Sequence, residues 1–216
     1  RYEETARTIP EAFGVSRSTV SRRTIRASAR KLQALMSRPL DQDDFVAVFM
    51  DGKSFAEDGI VLAVGITVEG EKRILGMVQA ATEKESVIAE FLERLKERGL
   101  DYRQGLLWIV DGSKGLLKAI KSAFNGFALI QRCQWHKREN VVGYLPKGEQ
   151  KKFRSKLQAA YEKPTYAEAE DALAKIQKEL RVLNQSAAAS LEEGLEETLT
   201  LHRLGLFEKL WTSFKT

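Results

Sequence analysis

A mixed α/β fold flanked by helical segments is predicted for this chain, and three observations predict it. Between Phe45 and Gln131, apolar runs of strand length alternate with amphipathic helical spacing in the order β-β-β-α-β-α-β. Before residue 41 and after residue 146 the strand signal is absent and helical periods take over. Two of the apolar runs also end in the same dipeptide, as Phe49-Met50-Asp51-Gly52 and Ile109-Val110-Asp111-Gly112.

From Thr8 to Arg23 the chain reads as a short apolar helix, a glycine turn and a second helix, the pattern of a helix-turn-helix. Gly14 supplies the turn, Val15 fills the space between the helices, Ser16 caps the second helix and Val20 packs inward. Pro10 stands where such motifs usually carry a small helix former, so either the first helix begins there with Pro10 in its first turn or the unit is distorted, and a purely structural helical hairpin is the alternative reading. Arg17, Ser18, Ser21 and Arg22 are left on the outer face, where a recognition helix meets DNA. Arg38 to Asp44 has a proline and no apolar period, and reads as a linker.

Phe45–Met50, Ile60–Val68 and Arg73–Gln79 are the first three expected strands, with Gly70 as the hairpin turn between the second and third. Thr82 and Glu85 form a T-x-x-E capping box ahead of a helix carrying Val87, Ile88, Phe91, Leu92 and Leu95, which Gly99 stops. Leu106–Val110 is the fourth strand. Ser113 is placed to cap a helix carrying Leu116, Leu117 and Ile120, and Phe127–Gln131 is the fifth strand. A three-strand meander followed by alternating helices and strands is the order of the ribonuclease H-like fold, in which the first and fourth strands are neighbours. Asp51 and Asp111 end those two strands, 60 residues apart.

After Lys147, Phe153, Leu157, Ala160 and Tyr161 follow helical spacing, and Pro164-Thr165-x-x-Glu168 opens another capped helix. Its apolar positions Tyr166, Ala169, Leu173, Ile176, Leu180 and Leu183 alternate steps of three and four, a seam that serves helix packing within a subunit or a dimer interface. The expected division is a partial helix-turn-helix over residues 1–40, an α/β core over 41–146, an all-helical insertion over 147–206 and a return to the core at 207–216.

Composition narrows the function. The chain is 43% hydrophobic and 30% charged, enough apolar material for one sizeable core, and no apolar stretch is long enough to span a membrane. A single cysteine, Cys133, excludes an intramolecular disulfide and fits a reducing, cytoplasmic location. Net charge is +5, but residues 1–40 and 130–163 each hold nine Lys/Arg against three acids, so the remainder is acidic. Two basic patches point to a polyanion touched at two places, or to solvated helix faces.

If the first and fourth strands lie side by side, Asp51 and Asp111 converge on one point, where carboxylate oxygens hold hard divalent cations such as Mg²⁺ for phosphoryl transfer on a polynucleotide. Asp-Gly is also a common turn dipeptide. That reading has weight for Asp51, which another strand follows, and less for Asp111, which precedes a helix. Arg132-Cys133-Gln134-Trp135-His136-Lys137-Arg138 follows the fifth strand. Its C-x-x-H suggests zinc, but a structural site needs about four ligands and His202 is the only other histidine. A buried thiol beside a surface histidine is one alternative. The other is phosphate contact by Arg132, Lys137 and Arg138, with Trp135 as a stacking ring and His136 beside the metal site and a scissile phosphate.

The words F-M-D-G-K, A-A-T-E, I-V-D-G-S-K-G-L-L-K-A-I, R-C-Q-W-H-K-R-E-N and the closing L-H-R-L-G-L-F-E-K-L-W-T-S-F-K-T, in this order across residues 45–216, resemble the Mutator-type transposases of bacterial insertion sequences. The resemblance implies a ribonuclease H-like core of the D-D-E class interrupted by a helical insertion. Asp51 matches the first catalytic aspartate, Asp111 the second, and Cys133 and His136 the family's C-x-x-H. The family's glutamate lies beyond an S-F-K-T-T-N-like word, and this chain stops at Ser213-Phe214-Lys215-Thr216, with Glu193, Glu196, Glu197 and Glu208 all upstream. The resemblance therefore implies an interior piece, inactive alone, of a nucleoid-associated enzyme that uses Mg²⁺, with Mn²⁺ as a substitute. Its partners would be double-stranded DNA, as transposon ends and target, and further copies of itself in a homodimer or higher oligomer, with no membrane involved. A helix-turn-helix regulator with a ligand-sensing α/β domain is the alternative. An actin-like ATPase core would need a duplicated domain for which 216 residues leave no room.

Overall fold

The computed structural model of the chain describes residues 17–55, 58–79 and 85–207. It divides into two compact units, Arg1–Pro39 and Leu40–Thr216. In the first, helix α1 runs from Arg17 to Ser37, and the Ser37 hydroxyl donates back to the Gln33 carbonyl at 2.9 Å. Arg17, Ser18, Ser21 and Arg22 all lie in its opening turns, the last two exposed. Pro10, Gly14, Val15 and Ser16, on which the expected turn depends, lie outside the described residues.

The second unit holds strands β1 (Phe45–Phe55), β2 (Asp58–Thr67), β3 (Lys72–Gln79), β4 (Leu106–Val110) and β5 (Ala128–Arg132). They form one mixed sheet in the order β3-β2-β1-β4-β5. The meander β1-β2-β3 is antiparallel, whereas β4 joins β1, and β5 joins β4, in parallel. Parallel neighbours need a crossover, supplied here by helices α2 (Glu85–Glu97) and α3 (Lys114–Phe124). β1 corrects the sequence expectation: it continues through Asp51 and Gly52 to Phe55, because β2 pairs with it as far as Phe55↔Asp58. The Asp51-Gly52 dipeptide is therefore strand and not turn.

The strand period of two sorts the core onto two faces. On one, Trp108 of β4 packs on Phe124 of α3 at 4.6 Å between ring centroids, with Ile88, Phe91, Leu92, Leu95, Leu116 and Ile120 buried beside it. On the other, Ala47, Ile66, Leu107 and Ile109 pack against Leu201 and Phe207 from the end of the chain's helical segment. Gly99 stops α2 in a left-handed conformation (φ +91°), and an added Cβ there would sit 2.9 Å from Asp41 Cβ. That close approach belongs to a segment read as linker: Leu40 is fully buried and its N–H donates to the Arg98 carbonyl at 2.7 Å. The Thr82 capping residue lies outside the described residues.

Helices α4 (Gln134–Gly143), α5 (Lys147–Tyr161), α6 (Tyr166–Leu183), α7 (Gln185–Glu192), α8 (Leu195–Thr198) and α9 (Thr200–Arg203) complete the unit. Thr165 and Glu168 form the reciprocal capping box that opens α6. The α6 seam is spent within the subunit: Ala169, Leu173, Ile176 and Leu180 are buried with Phe153, Leu157 and Leu191. Leu183 is exposed. This helical core also takes in Val141, Val142 and Leu145, so α4, directly after β5, contributes to it. Among the described residues no helix is long and apolar enough to cross a membrane.

Candidate active site

Met50 and Val110 are the last register pair of the parallel β1–β4 ladder. The next residue on each strand is an aspartate. Neighbouring strands lie about 4.8 Å apart, so Asp51 and Asp111 leave the ladder side by side. Alternation places Asp51 on the face of Ala47 and Phe49 and Asp111 on that of Leu107 and Ile109, the face that also carries Leu201 and Phe207. Asp111 is held in place: its Oδ1 accepts the Ser113 N–H at 2.9 Å. Ser113 takes the N-cap position of α3 as expected but makes no side-chain capping bond. The Asp51 carboxylate is 39% exposed, partly open to solvent.

The C-x-x-H stretch closes this edge. The Cys133 N–H donates to the Val110 carbonyl at 2.7 Å, which brings the start of α4 over the end of β4. Cys133 is the α4 N-cap residue and packs against the sheet-face cluster. Burial pushes its thiol pKa up, against the N–H groups of His136 and Trp135, and the charges of Asp51 and Asp111 push it further. It is a neutral thiol beside two carboxylates. One turn along, His136 Nε2 lies 3.9 Å from Asp51 Oδ1, in ion-pair range but beyond a direct hydrogen bond. Among the described residues, His136 Nδ1 is buried without a hydrogen-bond partner. Trp135 is 52% exposed and meets the His136 ring edge-on at 4.9 Å. Among the described residues no group of three His, Cys, Asp or Glu is placed to hold one metal ion. His202 lies elsewhere, its Nε2 3.0 Å from the Lys163 carbonyl and its ring stacked on Phe207.

The cations expected to meet phosphate turn inward. Arg132 Nη1 and Nη2 donate to the two Glu193 carboxylate oxygens at 2.8 and 2.9 Å, and its Nε donates to Glu197 Oε2 at 2.9 Å. Lys137, 3% exposed, donates to the Ser190 and Glu193 carbonyls at 2.8 and 2.5 Å and to Glu193 Oε2 at 3.1 Å. Arg138 pairs with Glu139 at 3.1 Å and donates to Gln158 at 2.5 Å. A buried cation persists only when paired, so Arg132 and Lys137 are engaged in holding the helical segment, and the partly buried Arg138 is paired with its neighbours as well. The Arg132 bonds, with Lys137, hold the Glu193 carboxyl at a pKa of about 2 despite partial burial.

Residues 4–215 match the family described as Transposase, Mutator family. The chain belongs to that family. It is 33% identical over 138 residues to the transposase for insertion sequence element IS256 in transposon Tn4001 of Staphylococcus aureus, a match covering 63% of this chain and 35% of that protein. It is 31% identical over 182 residues to the transposase for element ISRM5 of Rhizobium meliloti, covering 80% of this chain and 44% of the relative. The transposase for element IST2 of Acidithiobacillus ferrooxidans is 30% identical over 143 residues, covering 66% and 48%. The chain thus spans less than half the length of these relatives.

In this member of the Mutator family, the structure brings Asp51, Asp111, Cys133 and His136 to one edge, leaves Trp135 on the surface beside them, and turns the charged ends of Arg132, Lys137 and Arg138 onto protein partners, with Arg132 packed close behind Gly112. Sequence reasoning missed Glu193 and Glu197 as partners of Arg132. Their only local signal was an acidic pair one helical turn apart beside a glycine, which is ordinary for a solvated helix end.

Proposed function

We propose that this chain carries the first two carboxylates of a D-D-E transposase site on a ribonuclease H-like core, preceded by a helix-turn-helix that binds the terminal inverted repeats of an insertion sequence. One observation carries the reading: Asp51 and Asp111 directly follow the last register pair of adjacent parallel strands. The strand order and the antiparallel meander support the ribonuclease H-like assignment. Family membership supports transposition as the activity.

The donor set suits Mg²⁺ or Mn²⁺. Carboxylate oxygens are hard ligands that favour hard divalent cations. Asp51 and Asp111 would hold the divalent ions, which would supply nucleophile activation and charge neutralisation for strand cleavage and strand transfer on double-stranded DNA. The chain's own residues prepare the site. The Ser113 N–H fixes one Asp111 oxygen and leaves the other to a ligand. His136 Nε2 lies 3.9 Å from the Asp51 carboxylate, close enough to the pair that it would reach a phosphate held there. Trp135 presents an open ring for stacking on an unpaired base. Arg17, Ser18, Ser21 and Arg22 are the base- and phosphate-contacting positions of α1, and assembly of two or more copies brings both element ends together.

Fe²⁺-directed backbone cleavage of the 216-residue chain tests the metal reading without requiring activity. With ascorbate and peroxide, cuts are expected around residues 51 and 111, and they should disappear in Asp51→Asn and Asp111→Asn. Cleavage elsewhere, or a pattern indifferent to both substitutions, overturns the proposal.

A further inference from the structure

We infer that Arg132 is a positioning residue for the carboxylate pair, through which the seating of the helical segment sets the backbone next to Asp111; the inference rests on the metal-site reading above. Arg132 is the register partner of Val110, the residue before Asp111. Its buried guanidinium lies between two glycine backbones. A Cβ on Gly112, the residue after Asp111, would sit 3.0 Å from Arg132 Nη1, and a Cβ on Gly194 would sit 2.5 Å from both Cζ and Nε. Both glycines hold left-handed conformations, φ +100° and φ +65°, so neither site accepts a side chain without strain.

The planar fork donates through all three of its nitrogens to the helical side. It meets both Glu193 oxygens and one Glu197 oxygen, while the second Glu197 oxygen accepts Lys121 of α3 at 2.9 Å. Lys137, the residue after His136, donates to the Glu193 carboxylate and to its carbonyl. Gln131 and Gln134 both donate to the Thr198 carbonyl, at 2.7 and 2.8 Å, and the Thr200 hydroxyl donates to the Ile130 carbonyl at 2.5 Å. Residues 130–137 therefore seat residues 190–200 through a continuous polar joint, and within that joint the Arg132 guanidinium packs against Gly112, the residue after Asp111. A guanidinium displaced from the Gly194 side moves against Gly112. The Ser113 N–H that holds Asp111 Oδ1 is then the next contact to shift.

Mn²⁺ titration of the 216-residue chain by electron paramagnetic resonance tests this. Gly194→Ala drives a methyl group into the guanidinium from the side remote from the carboxylates, and Arg132→Lys keeps the charge but loses the fork. Each is expected to weaken Mn²⁺ binding about tenfold, the loss typical of removing a group that orients a ligand. Glu193→Gln, isosteric and at the half-exposed end of the joint, is expected to do the same if the other variants fail to fold. Leu173→Ala loosens the helical core without touching Arg132, and serves as the control for general destabilisation. Below its melting temperature it should leave Mn²⁺ affinity unchanged. Unaltered affinity in Gly194→Ala, Arg132→Lys and Glu193→Gln overturns the positioning role, as does an equal loss in Leu173→Ala. Wild-type binding that is indifferent to Asp51→Asn overturns instead the metal-site reading on which it rests.

Discussion

Met50 and Val110 close the parallel β1–β4 ladder as a register pair, and each is followed by an aspartate. Divalent-ion binding at that edge, as proposed, would make stability ion-dependent. Mn²⁺ at a hundred times its Kd is expected to stabilise the wild-type chain by about 2.7 kcal/mol, by mass action alone. Asp51→Asn and Asp111→Asn should lose that increment while keeping a melting temperature near that of the ion-free wild type, measured by thermal unfolding with and without the ion.

Acid should loosen the joint between β5 and the helical segment. The Arg132 hydrogen bonds, with Lys137, hold the Glu193 pKa at about 2, below its ordinary value of 4.5. A depressed carboxylate contributes stability that is present above the ordinary value and lost as pH falls toward the folded one. The difference in urea midpoint between wild type and Glu193→Gln is therefore expected to be largest above pH 5 and to shrink between 4.5 and 2. Glu193 is half exposed, so solvent screening keeps the effect modest.

Gly65 in β2 has no room for a side chain, since an added Cβ would lie 2.6 Å from Phe45 Cδ1 and 2.9 Å from Leu75 Cδ2. Overpacking of this kind costs about 1–3 kcal/mol. Gly65→Ala should show that loss in chemical denaturation, and Phe45→Leu in the same background should recover part of it by vacating the contact.

Leu173 is fully buried in the helical core. Truncation to alanine leaves a cavity costing about 2–5 kcal/mol. Hydrogen exchange is expected to accelerate across α5, α6 and α7 in Leu173→Ala, with the strands β1, β4 and β5 less affected, because the sheet has its own apolar cluster.

With Arg132, Lys137 and Arg138 spent internally, DNA affinity should depend on exposed cations instead. Arg22 of α1 and Lys147 and Lys151 of α5 are exposed. Replacing any one by alanine is expected to flatten the dependence of log K on log salt by about one unit. Lys137→Ala should leave that slope unchanged and lower the melting temperature. The pair of measurements separates cations that face DNA from those that hold the fold.

Much of the fold was legible because its signals are local. The five-residue run Leu106–Val110 is apolar throughout and forms β4, buried on both faces. Thr165 and Glu168 are three residues apart and cap α6 reciprocally. The extent of β1 was not legible: Asp51-Gly52 carries a turn signal, and only pairing with β2 keeps it extended. Nor was Leu40, whose burial depends on the far end of α2. The candidate site was half legible. Asp111 and His136 announced themselves by residue type at a strand end and a helix start, and Asp51 by residue type at the end of an apolar run that the sheet carries on to Phe55, whereas Arg132, Lys137 and Arg138 looked the same as phosphate ligands until their partners were known.

The sequence by itself determined the periods, the order of elements and the two aspartates, since these depend on residues within a helical turn or a strand's length. Only the tertiary structure decided which charges face outward. Arg132 meets Glu193 across 61 residues of chain, and the energy that decides their pairing is the desolvation of a buried cation. That cost appears only once β5 has been packed beneath the helical segment, so it converts a cluster of basic residues read as a polyanion surface into the joint behind the carboxylate pair.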